Sequence, residues 1–64
     1  MRVVITGLEQ GDLELECLVL PREGEYFKLR LQDDVIEAEV ASVTHSFELS
    51  QTEHQIKIAL KPIN

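Results

Sequence analysis

The sequence predicts an all-β fold, a small antiparallel barrel of five strands. Three observations predict it. Apolar and polar residues alternate with a period of two along most of the 64 residues. Short clusters rich in Gly, Pro, Asp and Ser interrupt that alternation at four places. No ten-residue stretch carries helical periodicity. The strands are expected at about residues 2–6, 12–20, 25–31, 35–47 and 54–61, in one domain spanning 1–64. Closing such strands into a barrel removes exposed edges, which is why five short strands and short loops favour it.

The first strand is the run Arg2-Val3-Val4-Ile5-Thr6, and the glycine-bracketed loop 7–11 leads out of it. In the second, Leu13, Leu15, Cys17 and Val19 share one face, while Glu14 and Glu16 point the other way. A helix would spread those glutamates around its axis; a strand collects them on one side. Leu18 and Leu20 then fall on the outward parity. The turn Pro21-Arg22-Glu23-Gly24 opens the third strand, with Phe27, Leu29 and Leu31 inward and Tyr26, Lys28 and Arg30 outward. The short connection Gln32-Asp33-Asp34 implies a hairpin. In the fourth strand Ile36, Ala38 and Val40 face inward, against Val35, Glu37 and Glu39. Parity then changes, so that Val43, His45 and Phe47 become the inward set. One extra residue near Ala41-Ser42, a β-bulge, accounts for the change and supplies the bend a small barrel needs. Residues 48–53 make the last turn. Ile56, Ile58 and Leu60 line the inside of the fifth strand, Lys57 and Lys61 face water, and Pro62 ends it because proline cannot donate to a ladder.

Composition narrows the function classes. A chain of this length buries only about 60% of the surface its unfolded form exposes. Small scaffolds therefore lean on disulfides, metals or partner subunits. Cys17 is the single cysteine, so no intramolecular disulfide exists, in keeping with a reducing, cytoplasmic setting. A homodimer covering Leu18, Leu20 or Val35 is the expected form of support. The apolar start of the chain is too short for a signal peptide or a membrane span. Twelve acids against six bases give a net charge of −6. Phosphate contacts need Lys and Arg, so nucleic acid is an unexpected ligand and a basic protein an expected one.

The acids are organised. Glu14 and Glu16 form one outward row, and Glu37 and Glu39 another. Such rows keep strand surfaces solvated and discourage edge pairing. They also repeat at about 6.8 Å, near the phosphate spacing of a DNA strand, so a nucleic-acid mimic is the alternative. Tyr26, beside Lys28 and Arg30, is an exposed aromatic of the kind favoured at protein contacts. One aromatic with two bases falls short of a nucleic-acid stacking platform.

Catalysis finds no parts here. There is no Walker loop, no GxGxxG and no assembled Ser-His-Asp set. Glu9 would repel phosphate from the loop 7–11. The chain is expected not to be an enzyme and to carry no cofactor. In the last hairpin His45 is expected opposite Ile56, and His54 opposite Phe47, with the imidazoles about 7 Å apart at Cβ. With Cys17 these would give three inward metal ligands, but structural zinc wants four ligands at short spacings. No metal site is expected, and added zinc should leave the melting temperature unchanged.

The segment Pro21-Arg22-Glu23-Gly24-Glu25-Tyr26-Phe27-Lys28-Leu29, with the later Glu39-Val40-Ala41-Ser42-Val43-Thr44-His45, resembles small SH3-like β-barrel proteins of bacteria and their phages or mobile elements. The likeness covers residues 21–61. It implies an SH3-like barrel and transfers no functional residue. The expectation is a non-enzymatic protein-interaction module. An inhibitor or nucleic-acid mimic acting on a basic target comes second, and an SH3-like nucleic-acid binder third. The interaction residues to follow are Glu14, Glu16, Tyr26, Glu37 and Glu39.

Overall fold

A computed structural model describes residues 1–50 and 53–63. Five strands form: β1 (Arg2–Thr6), β2 (Leu13–Glu16), β3 (Tyr26–Arg30), β4 (Val35–Phe47) and β5 (His54–Lys61). No helix occurs among the described residues. One curled sheet, a half-barrel, holds all five strands in the order β2-β1-β5-β4-β3.

The expected all-antiparallel arrangement is wrong at one pairing. β1 runs parallel to β5, with Val4 beside Lys57, Ile5 beside Ile58 and Thr6 beside Ala59. The other three pairings, β1–β2, β3–β4 and β4–β5, are antiparallel. The reason is parity of strand number. Consecutive strands alternate in direction, so the first and fifth point the same way. Side-chain alternation reports which face a residue takes, not which way its strand runs.

The bulge falls where the parity change puts it. Val40 pairs with Leu60 and Ser42 with Ala59, which leaves Ala41 without a partner. Ala38 and Val40 are buried before it, and Val43 packs on the core after it. The core proper is Val3, Ile5, Ala38, Val40, Ile56, Ile58 and Leu60. Leu8, Leu13, Leu15, Cys17, Leu20, Phe27 and Val43 cover it. Each large aliphatic residue buried here contributes about 1.5–3 kcal/mol before ordering costs.

Two glycines fix the connections. Gly7 has φ +93°, and a Cβ there would lie 2.6 Å from the Leu60 carbonyl oxygen. Only glycine lets β1 leave the sheet this close to β5. Gly24, with φ +88°, is the third residue of a turn in which the Glu25 amide donates to the Arg22 carbonyl over 3.1 Å. A positive φ at that position is what a type II turn requires. The Glu25 carboxylate accepts from the Arg22 amide over 2.6 Å, closing the turn from the other side.

The second strand is shorter than expected. Its ladder ends at reciprocal bonds between Met1 and Cys17, each 2.7 Å. The run Cys17-Leu18-Val19-Leu20 is apolar without alternation, so its period carries no facing information. Val19, expected inward, is 79% exposed. Leu20, expected outward as an oligomer contact, instead packs against the core. Of the expected closing turn 48–53, Gln51 and Thr52 lie outside the described residues.

Candidate functional site

Strand direction gathers several segments at one end of the sheet. β1 and β5 start there, and β2 and β4 finish there. The end therefore presents Met1, the segment after β2, and the tip of the β4–β5 hairpin. Five large apolar side chains are exposed among them: Met1 (50%), Leu18 (100%), Val19 (79%), Phe47 (73%) and Leu49 (108%). β4 causes much of this. It runs for 13 residues, and its last four, from Thr44 onward, are all exposed. The tip reaches past the core, and the molecule is correspondingly elongated, 39 × 24 × 22 Å.

Three rings stack along the tip. His45 lies opposite Ile56 and Phe47 opposite His54, the register that alternation predicts. The Phe47 and His54 rings are 4.4 Å apart and 8° from parallel; those of His45 and His54 are 5.0 Å apart at 20°. His45 Nδ1 and His54 Nε2 share a hydrogen bond of 2.9 Å. Such a bond needs one ring nitrogen donating and the other accepting, so it holds for a neutral pair or a singly charged one. Two fully protonated rings would face each other donor to donor. Cys17 shares the parity but does not join them. Among the described residues no group of three His, Cys, Asp or Glu side chains is placed to hold a metal ion.

A cleft of about 560 Å³ opens between this stack and the start of β1. Phe47 and His54 form one wall, Arg2 and Glu14 the other, and Glu48 and Glu53 stand at the tip. The Arg2 guanidinium donates to Glu14 Oε1 over 3.3 Å, so the cation in the cleft is engaged. Glu48 and Glu53 make no ion pair among the described residues.

The two acidic rows take a different form from free rows of charge. Glu14 pairs with Arg2 at 3.3 Å, and Glu16 with the Met1 ammonium at 3.0 Å. Glu37 pairs with Lys28 at 3.8 Å, and Glu39 with Lys61 at 3.5 Å. Every carboxylate singled out by alternation thus has a cation, three of them on a neighbouring strand and one at Met1, just before β1. Alternation within one strand cannot show this, because the cations come from across the ladder. All four pairs are open to solvent, and such pairs stabilise by about 1 kcal/mol or less. Tyr26 lies opposite Glu39 and is 56% exposed. The Glu37 carboxylate, acting first as hydrogen-bond acceptor, pushes the Tyr26 hydroxyl above its usual value of 10.0; burial and the Glu37 charge add to this.

The three possible oligomer contacts do not form one surface. Leu18 belongs to the apolar end, and Leu20 to the core margin. Val35 is 48% exposed at the opposite end, where β4 begins. Phe47 and Leu49 are the residues that alternation misplaces or passes over. Phe47 has inward parity but lies beyond the last core layer, and Leu49 sits in a turn. Among the described residues no helix is long and apolar enough to cross a membrane. Comparison with protein-family models, with curated proteins and with solved structures finds no match for this chain.

Proposed function

We propose that this chain is a non-enzymatic protein-interaction module that docks through the apolar end of its half-barrel. The observation that carries the reading is that Met1, Leu18, Val19, Phe47 and Leu49 are all exposed and that strand order and direction bring their segments to one end. Single exposed apolar residues are ordinary; several gathered at one end favour an interaction site there. The aromatic in the group is of the type that anchors interfaces. The ion-paired state of Glu14, Glu16, Glu37 and Glu39 weighs against mimicry of nucleic acid, which needs unpaired negative charge.

Affinity purification with the wild-type chain and with Phe47→Asp as baits tests this. Phe47 lies outside the core, so the variant should keep the wild-type melting temperature. The expected result is a stoichiometric prey lost in the variant. The same prey held equally by both baits, or no prey above an unrelated bait, overturns the reading.

A further inference from the structure

The cleft at the apolar end has a chemistry that specifies more than apolar contact. In its lining the Phe47 ring stacks on His54 at 4.4 Å and His54 stacks in turn on His45 at 5.0 Å, so the outer face of Phe47, a residue 73% exposed, is the aromatic face left outside the stack. Its tip carries Glu48 and Glu53, neither in an ion pair among the described residues, while its one guanidinium, Arg2, is held by Glu14 at 3.3 Å. An aromatic face beside carboxylates is a setting for a cation. Ring quadrupole and carboxylate charge act on it in the same direction, and both gain strength as water leaves. The smaller groove at the other end, about 330 Å³, contains Glu9, Asp34 and Glu37 but no aromatic wall. Lys61 lines that groove as well. Acidity is therefore common to both ends, and the combination with rings belongs to one.

We propose that the cleft bounded by Phe47, His54, Glu48 and Glu53 receives a lysine or arginine side chain from a basic segment of the docking partner. The inference rests on the docking reading above and names the partner's chemistry. The other exposed apolar residues of the same end make the surrounding contact, and the net charge of −6 favours approach of a basic surface. A second copy of the chain is the less suitable occupant, because it brings the same acidic charge to the same place.

The test is an amide NMR titration of the full chain with acetylated, amidated tri-arginine, and with tri-glutamate as the opposite-charge control. Saturable shifts are expected at Phe47, Glu48, Glu53 and His54 with tri-arginine only. Glu48→Gln combined with Glu53→Gln should weaken binding at least about fivefold. Glu9→Gln combined with Asp12→Asn removes the same charge at the opposite end and should weaken it less than about twofold. Phe47→Leu should also weaken it, because the ring face is lost while the charge stays. Shifts spread over all acidic residues, or equal weakening by the two charge-removing variants, overturn the proposal. A localised tri-arginine site in a chain that captures no prey would sink the docking reading and leave the cleft chemistry standing. Loss of a prey on Phe47→Asp with no localised tri-arginine site would do the reverse.

Discussion

Gly7 shows how much one residue decides. The carbonyl of Leu60 leaves no room for a Cβ, and φ is +93°. Gly11 shares the positive φ, +103°, but a Cβ there meets nothing within 4 Å. Gly7→Ala should cost about 2 kcal/mol or more in urea unfolding, and Gly11→Ala about 1 kcal/mol, because only the first adds a backbone collision to the strain. Equal costs would show that φ alone matters. Tyr26 gives a second check at this scale. It is the only tyrosine, so tyrosinate absorbance reports it alone. Its folded value lies above the ordinary 10.0 because of Glu37, so Glu37→Gln should lower the titration midpoint. The raised value means the folded state holds the phenol's proton longer than the unfolded chain does. The linked stability is present below the unfolded value and is lost as pH rises through the folded one.

At the scale of elements, the bulge and the last hairpin were legible in the sequence, for the same reason. Both depend only on which face a residue takes, and the switch from Val40 to Val43 records that directly. Deleting Ala41 removes the unpaired residue and turns either Val43 or the 36–40 set outward. That deletion should abolish cooperative unfolding, whereas a one-residue insertion in the loop 32–34, far from the core, should leave it in place. Cooperative melting of the deletion variant, followed by circular dichroism, would contradict the register. The end of β2 was not legible, because four consecutive apolar residues carry no parity. The β1–β5 contact was not legible either, because no local pattern shows that these two strands, far apart in sequence, lie side by side, and only that adjacency turns their common direction into a parallel pairing. Of the site, alternation found His45 and His54 and their register. It assigned His45 and Phe47 to the inward set, although both are exposed, since nothing in the pattern says where along a 13-residue strand the core stops.

The whole molecule is a half-barrel whose two ends differ. One exposes Met1, Leu18, Val19, Phe47 and Leu49 near a cleft lined by Phe47 and His54; the other exposes Leu31, Val35 and Ile63 less fully, at 37%, 48% and 48%, near a smaller groove with no aromatic residue. The opening lies between β2 and β3, the two strands with a free edge. Along the strands Glu14, Glu16, Glu37 and Glu39 are each paired with a cation, whereas Glu48 and Glu53 at the tip make no ion pair among the described residues. This asymmetry is the basis for assigning docking to one end. A photo-reactive amino acid placed at position 49, and in a second chain at position 35, tests it in living cells. Both native residues are exposed and apolar, Leu49 at the proposed docking end and Val35 at the other. A discrete cross-linked protein from position 49, with none from position 35, is the predicted result. Equal labelling from both positions, or a discrete product from position 35 alone, would contradict the account.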